Sequence, residues 1–339
     1  MIRRGASGGP ERRSGIRPIT NHQSPVTNHH PPTVTLVASW YHVAVAGVRI
    51  VVFGTAGVFS LTVLRRLLAA GVEPVGLVVP GRAPGPRGEL PVEVAGASET
   101  VVTLARARGL TVFEWDIRSA KAEALARLAP DLILIACFPH RLPPAVTALA
   151  RVACLNLHPS LLPRYRGPAP LFWQLRAGER DTGVTLHHVD ERLDAGDVVS
   201  QRRADLADGL SGSEVDSLLA GVGADLVLAA LDARPTGAWP RRAQDEAQAT
   251  AQRWPRPQDF EVSTLWPARR AFNFMRGTAE WGCPYEVRAG TAVWSVRIAL
   301  GYDPTAELGA PRERRDGHAR IQFSPGVLDV VQAPTREAP

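Results

Sequence analysis

Short, unbroken apolar runs rich in β-branched residues recur along this chain, each parted from the next by a helical stretch. They are VRIVVFG (48–54), PVGLVV (74–79), LTVFEW (110–115), DLILIACF (131–138) and RVACLNLH (151–158). An apolar run without alternation is buried on both faces, the mark of a parallel strand. Between them, LTVLRRLLAAG, AKAEALARLAP and PPAVTALA carry helical spacing and end on Gly or Pro, or are opened by Pro. Strands alternating with helices imply an α/β chain with a Rossmann-like, open, mostly parallel sheet. Ligands of such sheets sit at the carboxyl ends of the strands.

Further on, TGVTLHHVD (182–190) and VVSQRRADL (198–206) read as strands and 213–233 as a long amphipathic helix. Residues 234–260 are polar and rich in Pro and Arg, which reads as a linker. From 261 to 339, a helix near PARRAFNFMRG and strand-like runs such as TAVWSVRIALG suggest a smaller β-rich domain. The first domain then spans 47–233. Residues 1–46 are rich in Arg, Gly, Ser, Pro and His and hold a tandem echo, TNHQSPV then TNHHPPT. They read as an unfolded tail or a misassigned start, since they cannot bury enough apolar surface to offset ordering. TLVASWYHVAVAG has some signal-peptide character, but His42 interrupts it and a core strand follows at once. No run of membrane-spanning length occurs, so no membrane span is expected, and an odd number of distant cysteines fits reduced thiols in a cytoplasmic protein. Three distant cysteines, Cys137, Cys154 and Cys283, lack zinc spacing, so no metal is expected.

CLNLHPSLLPRYRGPAP (154–170) closes the fifth run. Side chains two apart on a strand share a face, so Asn156 and His158 stand side by side with Leu157 opposite. A histidine suits acid–base work near neutral pH, and an asparagine amide can donate to a developing oxyanion. Local backbone capping is the alternative for such a pair. The missing partner is a carboxylate, for which Asp194 in RLDAGD is preferred and Asp190 and Asp197 compete on spacing. Asp194 is taken to follow a parallel-sheet strand. His187 and His188 are read as strand residues, one inward and one outward. GTAGVF (54–59) lacks the third glycine of a dinucleotide fingerprint, and no acidic residue ends the second strand, which argues against a dehydrogenase.

The longer string N-x-H-x-S-L-L-P, R-x-R-G, T-G-V-T and D-A-G-D, in that order and spacing, resembles the folate-dependent formyltransferase family over roughly residues 48–205. The resemblance implies the formyltransferase fold and Asn156, His158 and Asp194 as catalytic residues. It places Ser160, Leu161, Leu162 and Pro163 against the folate, and makes 10-formyltetrahydrofolate the co-substrate, with no metal. The amine acceptor is not named by that string. Members that formylate methionyl-tRNA carry a C-terminal β-barrel domain; AQDEAQATAQRWPRPQDF resembles their interdomain joint and LWPARRAFNFMRGTAEWGCPYEV the start of their second, OB-like domain. Arg82 and Arg87 fall where those members have a basic loop, and Arg164 and Arg166 are further candidates for acceptor phosphates. From Arg234 onward there are 15 Arg against 12 Asp and Glu, within a chain of net charge +6. Initiator tRNA is therefore the expected partner. The alternatives are a nucleotide-linked amino sugar, held by an aromatic clamp such as Trp173 or Trp281, and a non-catalytic folate-binding member.

Overall fold

The computed structural model describes residues 47–81, 99–115, 122–233, 239–315 and 318–333, all within one compact unit. The extension 1–46 and the loop bearing Arg82 and Arg87 lie outside them. Strands β1 (Ile50–Gly54), β2 (Gly76–Pro80), β3 (Thr111–Trp115), β4 (Leu132–Ala136), β5 (Ala153–His158), β6 (Asp181–His188) and β7 (Val198–Asp205) form a sheet in the order β3-β2-β1-β4-β5-β6-β7. The first five are parallel, and each pairs through residues that are almost all buried in β1, β2 and β4. β6 runs antiparallel to β5, and β7 antiparallel to β6. The expectation that Asp194 follows a parallel strand is thus corrected. Seven of the eight β6 positions are buried although both of its neighbours run antiparallel to it, so burial on both faces does not by itself make a strand parallel.

Helices α1 (Val58–Ala69), α2 (Val101–Ala107), α3 (Ala122–Ala126) and α4 (Pro144–Thr147) belong to the crossovers. α5 (Pro170–Ala177) has no counterpart among the helices read from the sequence; Pro170 sits in its first turn, where a missing N–H costs nothing. Gly178, at φ 80°, ends it in a left-handed cap. α6 (Gly212–Asp232) starts with a capping box in which Ser211 and Glu214 each satisfy the other's backbone N–H. Its small residues let it lie close to its neighbours: a Cβ on Gly223 would meet Leu157 of β5 at 3.2 Å. No described helix is long and apolar enough to cross a membrane.

α7 (Ala268–Thr278) and strands β8 (Glu261–Ser263), β9 (Tyr285–Ala289), β10 (Ala292–Asp303), β11 (Arg312–Arg315), β12 (His318–Gln322) and β13 (Val327–Gln332) build the second sheet. Its order is β11-β12-β13-β10-β9-β8, antiparallel except for β8 with β9. The two parts share one apolar core. Phe172 of α5 packs against Phe260 and, edge to face, against Phe274, with ring centroids 5.2 and 5.3 Å apart. Asp208, between β7 and α6, accepts hydrogen bonds from Arg269 and Asn273 of α7 and from the Tyr302 hydroxyl of β10. These three partners of one carboxylate pull its pKa down to about 2, Arg269 contributing most.

Candidate functional site

Asn156 and His158 end β5 on the same face, as the period of a strand requires. Direct cross-strand pairing puts Ile135 of β4 and His187 of β6 on either side of Asn156. The His158 side chain is 5% exposed and that of Asp194 8%. Because β6 runs backward, the chain leaving it passes Cys154, where the Val189 N–H donates to the Cys154 carbonyl. The loop must therefore fold back over the sheet to bring a carboxylate to the end of β5. It does so through Asp194 at φ 53° and through Gly196, where a Cβ would lie 1.9 Å from the His188 carbonyl oxygen. Only glycine fits that approach.

The returned carboxylate lies among the other groups. Asp194 Oδ2 stands 3.6 Å from His158 Nδ1 and accepts the Gly167 backbone N–H at 2.8 Å. Asp194 Oδ1 faces the Asn156 amide nitrogen at 3.5 Å and His187 Nε2 at 3.8 Å. The Asn156 amide donates its better hydrogen bond to His187 Nε2, at 3.0 Å. Tautomers follow from the partners. His187 Nδ1 faces the His188 carbonyl at 2.9 Å, so it carries the proton and Nε2 is free to accept. His158 Nε2 faces the Tyr165 carbonyl at 2.8 Å, so it donates, and Nδ1 keeps its lone pair toward Asp194. Burial holds His187 neutral, lowering its pKa to about 4.

His187 was expected only as a strand residue. The cross-strand register with Asn156 makes it part of the constellation, while His188 on the opposite face bonds the Pro240 carbonyl. Its signal in the sequence was the parity shared with Thr185, which also points at the loop after β5. Asp190 and Asp197 are turned elsewhere: Asp190 accepts the Arg192 N–H, and Asp197 pairs with Arg241.

In the segment after His158, Ser160 and Leu162 are buried and tied to the sheet. The Ser160 carbonyl accepts from the Thr185 hydroxyl, the Leu162 N–H donates to that hydroxyl oxygen, and the Leu162 carbonyl accepts from Gln201. Leu161 and Pro163 are half-buried. Arg164 is exposed, pairs with Glu179 and lies over the Tyr165 ring. Arg166 is buried, its guanidinium held by Gln244 and Glu246 rather than turned to solvent. Trp173 donates its indole N–H to the Arg253 carbonyl, and Trp281 packs on Phe172 and Trp254.

The face that carries Asn156 continues into a buried apolar cluster that includes Ile133, Ile135 and Leu142, with half-buried Phe138 and Val189 packed on it.

Residues 48–231 match the family described as formyl transferase. A methionyl-tRNA formyltransferase from Anaeromyxobacter dehalogenans strain 2CP-1 is 34% identical over 267 residues, covering 78% of this chain and 84% of the relative. Among solved structures, an N-formyltransferase from Helicobacter canadensis, crystallised with folinic acid and dTDP-3-aminofucose, aligns over 84% of this chain and 99% of its own, with a TM-score of 0.60 and 14% identity. A methionyl-tRNA formyltransferase from Clostridium thermocellum aligns over 84% and 100%, with a TM-score of 0.50 and 14% identity.

Proposed function

This chain belongs to the formyl transferase family, and from that premise we propose that it moves the formyl group of 10-formyltetrahydrofolate to the amino group of methionyl-initiator tRNA. The observation that carries the reading is the meeting of Asn156, His158 and Asp194 at the end of β5, with His158 Nδ1 and Asp194 Oδ2 3.6 Å apart.

The folate co-substrate supplies an electrophilic formyl carbon. Half-buried Phe138 and Val189, packed on the apolar cluster beside Asn156, and the half-buried Leu161 and Pro163 of the segment Ser160–Pro163 are the surface offered to its pterin ring. The acceptor amine attacks the carbon as a neutral nucleophile and becomes positively charged. His158 Nδ1 holds the lone pair that takes the excess proton, and Asp194 balances the imidazolium that results. The second Asn156 N–H, held only loosely at 3.5 Å by Asp194, is the donor available to the negative charge developing on the formyl oxygen. The proton then passes to the departing nitrogen as its bond to the formyl carbon breaks. Both substrates are bulky, so holding them in register contributes much of the acceleration.

The tRNA acceptor is supported by the relative named above, whose match is longer than the family region and so takes in chain outside it. It is also supported by exposed arginines on the second sheet, such as Arg297 and Arg314. An aromatic base clamp from Trp173 or Trp281 finds less support, since both rings are engaged within the protein. Purified protein given 10-formyltetrahydrofolate and either charged initiator tRNA or amino-sugar nucleotides tests the proposal. Formylmethionyl-tRNA should form, with a KM for tRNA that rises steeply with salt. Formylation of the amino sugars alone would transfer the assignment to the small-amine branch.

A further inference from the structure

The polar stretch after Trp239 has the composition of a tether, yet the structure uses its side chains as supports for the reactive groups. Gln244 is the centre. Its amide nitrogen donates to two carbonyls of the folded-back loop, Asp194 O at 2.9 Å and Gly196 O at 2.8 Å. Its amide oxygen accepts from Arg166 Nε at 3.1 Å and Nη2 at 2.8 Å. All four hydrogen-bonding positions of the amide are thereby used, which also fixes which end is nitrogen. Arg166 is in turn gripped by both oxygens of Glu246, at 2.9 and 3.0 Å. The bidentate guanidinium–carboxylate pair gives Gln244 a fixed backing.

The strained conformation makes this support matter. Asp194 adopts φ 53°, a left-handed conformation that a non-glycine residue holds only where its surroundings impose it. Its carboxylate position follows from that backbone, and Gln244 ties down two of the carbonyls that follow the Asp194 Cα. A few residues on, Thr250 does the same for His158's partner: its hydroxyl accepts the Tyr165 N–H at 2.8 Å, and Tyr165 also has positive φ.

We propose that Gln244, backed by Arg166, is a positioning residue for formyl transfer: it sets the loop that presents Asp194 to His158, so the segment joining the two sheets is part of the reactive apparatus. This rests on the reading of Asp194 as a member of the catalytic set, and that reading is tested separately by Asp194→Asn. The full-length variant Gln244→Glu keeps an acceptor for Arg166 and removes both donors to the loop. Its kcat should fall by about tenfold to a hundredfold, with KM for folate and for the amine within about threefold of the parent. Gln244→Asn, whose amide still carries donors, should recover part of the loss, and thermal midpoints of both should stay near that of the parent. An unchanged kcat in Gln244→Glu, alongside a strong loss in Asp194→Asn, would overturn the positioning role and leave the site intact. A rise in KM for the amine at constant kcat would overturn it too, by making Gln244 an acceptor contact. Full activity of Asp194→Asn would refute the underlying reading instead.

Discussion

Asn156 and His187 face each other across the antiparallel pair β5–β6, the amide donating to the imidazole Nε2 at 3.0 Å. The bond settles which way the Asn156 amide points. A flipped amide would bring its oxygen against a lone pair of His187 and against the Asp194 carboxylate. His187→Leu removes the acceptor and frees the amide to rotate. A fall in kcat of about tenfold is expected, with most of it restored in His187→Gln, which can still accept. Single-turnover rates with both variants check this.

The same histidine gives stability a pH dependence. Burial lowers its pKa from 6.5 to about 4 in the folded chain. Between those values the unfolded chain takes up a proton that the folded chain does not, so stability falls as pH drops from about 6.5 to about 4. For this one group the slope is at most about 1.4 kcal/mol per pH unit. Below that window it adds nothing further. Urea unfolding of wild type and His187→Gln at pH 4.5 to 7 should show the steeper acid loss in wild type.

Asp208 acts in the opposite sense and lower in pH. Its carboxylate is favoured in the folded state by Arg269, Asn273 and Tyr302, so its contribution is present above about 3.8 and lost as pH falls through about 2. Asp208→Ala removes a junction contact that is partly exposed, and a loss of about 1–2 kcal/mol at pH 7 is expected after solvent screening. The midpoint of urea unfolding measures it.

Gly167 sits where the loop after β5 meets the joining segment. It has φ 120°, and a Cβ there would lie 2.1 Å from the Gln252 carbonyl oxygen. Its N–H is also the donor to Asp194 Oδ2. Gly167→Ala should therefore displace the joining segment and the carboxylate together, lowering kcat by about a hundredfold or more with a loss of stability of about 1–3 kcal/mol. Activity and thermal midpoint measured on one preparation report both.

The strands of the first sheet were readable because buried parallel strands are written as unbroken Val, Ile and Leu runs, and the pairing of Asn156 with His158 followed from strand parity alone. Three things were hidden. α5 was masked by the same prolines that open it. The reversal at β6 was invisible because burial does not encode direction, and with it went the reason Asp194 needs a left-handed turn. Arg166 read as a candidate for acceptor phosphates and Gln244 as part of a polar linker, because composition says nothing of a partner some eighty residues away. The loop carrying Arg82 and Arg87 lies outside the described residues.

The most direct test is the rate of formyl transfer from 10-formyltetrahydrofolate to methionyl-initiator tRNA by wild type and by Asn156→Ala, His158→Ala and Asp194→Asn under saturating substrates. Wild type should transfer, and each variant should lose on the order of 10²-fold or more in kcat while remaining folded. Transfer within a few-fold of wild type in His158→Ala or Asp194→Asn would contradict the account.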